Sequence, residues 1–109
     1  MRLAAVAVAQ ERKVVTALFC DLVGSTAMGE ELDPEVMAGL LGEYQRVCRR
    51  VVESHGGVVE KFIGDAVVGV FGVPSSHEDD PERAVRAGLR LVEEVGASEL
   101  GLQVRVGID

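Results

Sequence analysis

Aromatic residues are scarce in this chain of 109 residues, which has no tryptophan, one tyrosine and three phenylalanines. Its 11 lysines and arginines are outnumbered by 18 aspartates and glutamates, so the formal net charge is −7. Proteins that bind nucleic acid usually present basic patches, and many stack aromatic side chains on the bases. The composition therefore argues against a nucleic-acid partner. A chain this acidic also needs cations if it is to bind a phosphate-rich ligand.

Long apolar runs and metal-binding cysteine patterns are also missing. No stretch approaches the ~18 apolar residues that span a bilayer, so we predict no membrane insertion. The apolar segment 3–9 follows Arg2, but charged residues come directly after it, which disfavours a secretory signal. We predict residues 1–12 to be a disordered N-terminal extension. The two cysteines, Cys20 and Cys48, lie within apolar patterns and predict buried, reduced thiols in a cytoplasmic protein.

Apolar periodicity predicts four strands and two long helices in a single domain over residues 13–109. The first strand is β-branched and almost continuously apolar, which is typical of a central strand buried on both faces. Each helix begins with an Asp-Pro pair, the aspartate as N-cap and the proline in the first turn. The predicted elements are a strand at 13–20, a helix from Asp33 to His55 ended by Gly56-Gly57, strands at 58–63 and 66–73 joined by a Gly64-Asp65 turn, a helix from Asp80 to Gly96, and a strand at 102–108.

The order strand, helix, strand, strand, helix, strand is that of the split βαβ, or ferredoxin-like, fold. We therefore predict an α+β (βαββαβ) sandwich, in which an antiparallel sheet carries its helices on one face. In this topology the first and third strands are antiparallel neighbours. Asp21 follows the first strand and Asp65 precedes the third. The two carboxylates are therefore expected at the same end of the sheet.

Two neighbouring carboxylates repel each other unless a cation lies between them. Mg²⁺ or Mn²⁺ prefers oxygen ligands, commonly one or two carboxylates with substrate phosphates, and two such ions can hold both the attacking and the leaving oxygen. Beyond Asp21, Gly24 permits close approach, and Ser25 or Thr26 is predicted to cap a short helical turn whose free amides can bind phosphate. Taken singly, each aspartate would be a turn or capping residue. Together they predict a metal-dependent phosphoryl-transfer site or a nucleotide-binding site.

Other candidate residues receive structural interpretations. Phe19 and Phe62 are predicted to be core residues. Arg105 falls outside the apolar alternation of the last strand, which is typical of a solvated charge. His55 and His77 have no partner arrangement that indicates acid–base chemistry.

Three segments resemble the bacterial type of class III nucleotidyl cyclase catalytic domain: VTALFCDLVGST (15–26), GGVVEKFIGDAVVGVF (56–71) and VRVGID (104–109). The resemblance runs from about Lys13 to Asp109 and covers the N-terminal part of such a domain. The family pattern continues with further strands, a second purine-reading residue, and an asparagine and an arginine that stabilise the transition state. The resemblance also implies a homodimer in the intact domain, often joined to ATPase or helical-repeat regions.

This resemblance implies an adenylyl cyclase, which converts ATP to 3′,5′-cyclic AMP and pyrophosphate by two-metal catalysis. With lysine at position 61 the chain resembles adenylyl cyclases, whereas guanylyl cyclases have glutamate at the matching position. A guanylyl cyclase, or a catalytically silent module that binds metal and nucleotide, remains an alternative, and this chain alone is expected to be weakly active or inactive. The resemblance implies that Asp21 and Asp65 are catalytic and bind two Mg²⁺ or Mn²⁺ ions, with the Leu22 carbonyl as a further metal ligand. It implies that the substrate is bound by Gly64 and by the amides of Val23, Gly24, Ser25 and Thr26. Lys61 of the partner protomer would contact the purine.

Overall fold

The computed structural model describes residues 14–98 and 101–109, so the predicted N-terminal extension, 1–12, lies outside the described residues. The described part contains four strands and three helices. They are β1 (Thr16–Leu22), α1 (Ser25–Glu31), α2 (Pro34–Ser54), β2 (Val58–Ile63), β3 (Ala66–Phe71), α3 (Asp80–Ala97) and β4 (Val104–Ile108). None of these helices is both long enough and apolar enough to cross a membrane.

The four strands form one antiparallel sheet with the order β2-β3-β1-β4. This confirms the predicted α+β fold, including the antiparallel pairing of β1 with β3. β1 extends two residues further than predicted, so Asp21 lies inside the strand. β3 ends at Phe71, two residues earlier than predicted.

The described helices cover only one face of the sheet. In β1, Leu18, Cys20 and Leu22 are buried in the core, whereas Phe19 between them is 48% exposed. The prediction that this strand is buried on both faces was therefore wrong. The core side chains of α2 and α3 pack against the face that carries Leu18 and Cys20, and no described helix covers Phe19 on the opposite face. That opposite face, which we call the open face, is the one available to a ligand or a partner.

Helix α2 begins as the sequence predicts. The Asp33 carboxylate accepts a hydrogen bond from the Glu35 amide at 2.9 Å, and Pro34 lies in the first turn. The predicted apolar stripe is buried only in the C-terminal half of the helix, and Val36 near the start is 52% exposed. The buried residues of α2 are Tyr44, Cys48, Val51 and Val52.

Two glycines adopt the left-handed backbone that the predicted turns require. Gly56, with φ of 87°, follows the end of α2, and Gly64, with φ of 60°, opens the turn between β2 and β3. Glycine takes this conformation without the steric cost that a Cβ atom imposes. The Gly64-Asp65 connection is therefore the predicted tight hairpin, and it places Asp65 next to the first residue of β3.

Helix α3 differs from its prediction at its start and on its outer face. Its N-cap is Asp79, whose side chain makes no capping hydrogen bond. Asp80, the predicted cap, is buried and accepts a hydrogen bond from the His77 amide at 2.8 Å. Val85 and Val92, predicted to face inward, are 47% and 50% exposed. The apolar residues that α3 buries are Ala84, Ala87, Gly88, Leu91 and Val95.

Candidate active site at the end of strands β1 and β3

Asp21 and Asp65 lie at the same end of the sheet, on neighbouring strands. The outermost residue pair between β1 and β3 is Cys20 with Val67. One position further out along the two strands are Asp21 and Ala66, and Asp65 is the next residue in the turn. Adjacent strands are ~4.8 Å apart. The fold therefore places the two residues side by side at one end of the sheet, as the strand order predicts.

One oxygen of Asp21 lacks a hydrogen-bond donor. The Oδ1 atom is buried without a partner among the described residues, although half of the Asp21 side chain is exposed. The nearest cation is the Arg105 guanidinium, whose Nε lies 3.7 Å from Oδ1, beyond hydrogen-bond distance. Buried polar atoms in proteins are nearly always hydrogen-bonded. An unsatisfied carboxylate oxygen at this place fits a metal ligand.

The donor set suits a cation that binds together with a nucleotide. Among residues 14–98 and 101–109, no group of three or more histidine, cysteine, aspartate or glutamate side chains converges on one point. Asp21 and Asp65 therefore supply two carboxylates at most. Mg²⁺ is commonly held by one or two carboxylates, with water and substrate phosphates completing its octahedral shell. The residues present fit that arrangement and do not fit a closed site made of protein ligands alone.

A shallow pocket of about 470 Å³ opens beside Asp21. Arg105 stands directly across from Asp21 in the register between β1 and β4. The pocket thus combines a carboxylate, a guanidinium and an apolar floor on the open face of the sheet. The residues that line it are Phe19, Cys20, Asp21, Ala66, Arg105, Val106 and Gly107.

Sequence reasoning did not assign Arg105 or Phe19 to this site. Arg105 is 75% exposed, as predicted for a solvated charge, but it also lines the pocket and faces Asp21. The prediction that Phe19 is a core residue was wrong, because this face of β1 is open. A signal for Arg105 existed in the sequence. Once β4 is placed beside β1, the alternation along β4 puts Arg105 on the same face as Asp21.

The segment after β1 differs from prediction in two respects. The N-cap of α1 is Gly24, with φ of 73°, and no side chain caps the helix, so the prediction that Ser25 or Thr26 does so was wrong. The Val23 amide donates to the Gln103 carbonyl at 2.9 Å, so it is not free to bind phosphate. The amides of Ser25 and Thr26 lie in the first turn of α1, where a helix offers them no acceptor.

Lys61 lies on the open face but away from the two aspartates. It pairs with Val68 across β2 and β3, and Val68 in turn pairs with Phe19. Lys61 is therefore two strands from β1, a distance of about 10 Å. Its side chain makes no hydrogen bond or ion pair with any described residue. Its purine-reading role, like the metal role of the Leu22 carbonyl and the substrate role of Gly64, stays a prediction.

Comparison with known proteins identifies the family. The sequence profile of the adenylate and guanylate cyclase catalytic domain matches residues 7–109. The chain therefore belongs to this family, as the three segments that resemble it predict.

The relatives include both kinds of cyclase. An uncharacterised protein of Rhizobium meliloti is 41% identical over 103 residues, which are 90% of this chain and 10% of that protein. Adenylate cyclase 1 of the same species is 33% identical over 86 residues, 79% of this chain and 13% of that protein. The solved adenylyl cyclase CyaB of P. aeruginosa has a TM-score of 0.76 at 30% identity, with 86% of this chain and 54% of that one covered. The guanylyl cyclase Cya2 has a TM-score of 0.72 at 33% identity, with 90% and 54% covered.

The chain thus spans about half the length of these solved cyclases and a small share of the curated relatives. The family contains both adenylate and guanylate cyclases, so membership of it does not choose between adenine and guanine.

Proposed function

We propose that this chain forms the metal- and triphosphate-binding part of an adenylyl cyclase domain, which converts ATP to 3′,5′-cyclic AMP and pyrophosphate. The observation that carries the proposal is that Asp21 and Asp65 lie at one end of the sheet on neighbouring strands, with an Asp21 oxygen that no donor among the described residues satisfies. Arg105 beside it adds a cation of the kind that binds phosphate. Carboxylates for metal and a cation for phosphate are what a metal–triphosphate ligand requires.

Asp21 and Asp65, with the Leu22 carbonyl, would hold two Mg²⁺ or Mn²⁺ ions. When bound, such ions lower the pKa of the ribose 3′-hydroxyl and offset the charge of the leaving pyrophosphate. Arg105 and the first-turn amides of α1 would bind the β- and γ-phosphates through charge-assisted hydrogen bonds. The Gly64 turn, which has no side chain, would leave room for the substrate.

The proposed reaction is a displacement at the α-phosphorus. The 3′-oxygen gives its proton to water and forms the new bond to the α-phosphorus, while the bond between that phosphorus and the oxygen it shares with the β-phosphate breaks, and this oxygen leaves as part of pyrophosphate. No covalent bond to the protein is needed, since the protein's contribution to phosphoryl transfer is positioning and electrostatic stabilisation. The side chains of this chain therefore act by binding and orienting the triphosphate.

Adenine is proposed over guanine because of Lys61. An ammonium group donates hydrogen bonds, and a ring nitrogen of adenine can accept one. Guanine presents N–H groups, whose hydrogen bonds a carboxylate would accept. Lys61 is exposed and lies on the open face, two strands from Asp21, and its side chain has no hydrogen-bond or ion-pair partner among the described residues. This placement suits contact with a nucleotide held by the aspartates of a second copy. A guanylyl cyclase is the second candidate, since solved relatives of that kind match this chain.

Titration calorimetry with Mn²⁺·ATP and Mn²⁺·GTP tests the proposal. The wild-type chain is expected to prefer ATP, and Asp21→Asn or Asp65→Asn is expected to weaken binding by at least about tenfold, which corresponds to 1.4 kcal/mol. Glu60→Gln is the matched control, because it removes an exposed carboxylate of β2 away from the sheet end. Equal binding by wild type and Asp21→Asn would contradict the proposed site.

Comparison of ATP binding with GTP binding separates the adenylyl cyclase from the guanylyl cyclase. Lys61→Glu is expected to reduce the preference for ATP over GTP, and Lys61→Met, which removes the charge without reversing it, to have an intermediate effect. A wild-type preference for GTP would favour the guanylyl cyclase. Binding of nucleotide by a full-length domain that forms no cyclic product would favour the silent binding module.

A further inference from the structure

A small polar cluster lies in the core directly behind Asp21. Tyr44 and Cys48 of α2 and Cys20 of β1 are each no more than 1% exposed. The Tyr44 hydroxyl donates to the Cys20 carbonyl oxygen at 3.2 Å and lies 3.4 Å from the Cys20 Sγ. Cys48, about one helical turn after Tyr44, belongs to the same buried core. The cluster therefore ties helix α2 to one point of β1.

The hydroxyl of Tyr44 is not explained by packing. A phenylalanine would fill nearly the same volume, and a buried hydroxyl costs free energy unless it is hydrogen-bonded. Burial, together with the hydrogen bond to Cys20, raises the pKa of Tyr44 above its ordinary value, so at neutral pH the group is a protonated donor. Its acceptor is a main-chain carbonyl, which has a second lone pair beyond the one used in the sheet.

That carbonyl belongs to the peptide unit joining Cys20 to Asp21. A peptide unit is planar, so an orientation imposed on the carbonyl also fixes the nitrogen of Asp21. Cys20 is the last residue of β1 that pairs with β3, whereas Asp21 pairs with β4 alone. The Tyr44 hydrogen bond thus acts at the point where β1 loses one of its two neighbouring strands.

We propose that Tyr44 is a positioning residue for Asp21. By holding the Cys20 carbonyl, its hydroxyl sets the direction in which the Asp21 carboxylate leaves the strand. Ligand side chains hold a metal well only when supporting contacts fix their orientation. The consequence for metal binding rests on the proposed function, in which Asp21 binds a cation. The effect of Tyr44 on the backbone at Asp21 does not depend on that function.

Amide hydrogen exchange in the metal-free chain tests the backbone effect. Tyr44→Phe, which removes only the hydroxyl, is expected to speed exchange at the Asp21 amide by at least about fivefold beyond the change at other core amides. Cys48→Ala is the matched control, since it alters the same cluster and spares the bond to the carbonyl. An unchanged Asp21 amide in Tyr44→Phe would overturn the proposal. The proposal would also be overturned if Cys48→Ala sped exchange at the Asp21 amide equally, or if the Tyr44→Phe chain did not fold. Either result would show that Tyr44 stabilises the core in general and does not act on Asp21 specifically.

Calorimetric titration with Mn²⁺·ATP then tests the consequence for binding. Tyr44→Phe is expected to weaken the affinity about three- to tenfold, and Cys48→Ala to leave it unchanged. If the wild-type chain binds and Tyr44→Phe binds equally well, positioning by Tyr44 is refuted. If the wild-type chain does not bind, the proposed function is contradicted, and the exchange experiment alone decides whether Tyr44 orders the backbone at Asp21.

Discussion

At Asp21, stability and ligand binding make opposite demands on one side chain. A buried carboxylate oxygen without a donor among the described residues costs free energy in the metal-free chain, since burial of a charge is unfavourable unless it is paired. Arg105, at 3.7 Å, offsets part of that cost without forming a hydrogen bond. Local destabilisation of this kind is typical of functional sites, where the missing partner is the ligand. Because Arg105 is positively charged, it is expected to disfavour a metal ion bound at Asp21 and to favour a phosphate bound beside it.

Arg105→Gln is therefore expected to separate the two kinds of binding. Removal of a cation this close to Asp21 should strengthen binding of free Mn²⁺ about two- to fivefold, and should weaken Mn²⁺·ATP binding by a similar factor, since a partly exposed pair interacts by about 1 kcal/mol. Electron paramagnetic resonance of Mn²⁺ and calorimetry measure the two affinities. Arg86→Gln, which removes an exposed guanidinium of α3, is the control. Parallel weakening of both ligands in Arg105→Gln would contradict this account.

The position of Asp21 beside Asp65 was predictable because it depends only on the order of the strands, which the spacing of apolar residues and glycines reveals. The environment of Phe19 was not. Period-two alternation shows which face of a strand is buried only when polar residues occupy the other face. In β1 both sets are largely apolar, and the open face becomes visible only when the helices are placed. Arg105 was missed because an exposed charge on β4 is typical of a solvated residue, and the residue that lies across from it depends on the register between β1 and β4.

Among the helices, α2 and α3 contain glycines with contrasting surroundings. A Cβ atom added at Gly39 would meet nothing within 4 Å, so Gly39→Ala is expected to stabilise the chain by about 0.5–1 kcal/mol through helix propensity. At Gly88 the added atom would lie 2.9 Å from Cγ1 of Val106, in the contact between α3 and β4. Gly88→Ala is therefore expected to destabilise by about 1–3 kcal/mol through overpacking. Urea unfolding measures both, and two stabilising substitutions would contradict the close contact.

Helix starts show where local sequence signals stop being sufficient. Asp33 caps α2 because its side chain is free to turn back to the Glu35 amide. Asp80 is also followed by proline, but its carboxylate accepts a hydrogen bond from the His77 amide and packs closely against Gly72. A capping pattern identifies a helix start to within a residue or two. Which side chain makes the hydrogen bond depends on tertiary contacts that the pattern does not contain.

On the scale of the whole molecule, an apolar surface lies beside an open edge of the sheet in the described part of the chain. Val85, Leu89 and Val92 of α3 are 47%, 66% and 50% exposed, and with Ile108 of β4 they line a groove of about 200 Å³. In the described sheet, β4 pairs with β1 only and forms one edge. Contiguous exposed apolar side chains next to an unpaired strand favour association. We expect the chain to associate as its concentration rises, with this surface in the contact.

Leu89→Lys tests this expectation, because Leu89 is the most exposed apolar residue of the groove. Complete burial of a leucine side chain contributes about 1.5–3 kcal/mol, so the substitution is expected to weaken association by about tenfold or more. Sedimentation equilibrium over a range of concentrations measures the association, and circular dichroism checks that α3 is retained. Val36→Lys is the matched control, since Val36 is 52% exposed on α2, away from the groove. A wild-type chain that stays monomeric at every concentration would show that the groove alone does not drive association. A Val36→Lys chain that loses association as strongly as Leu89→Lys would show that general charge, and not this surface, controls it.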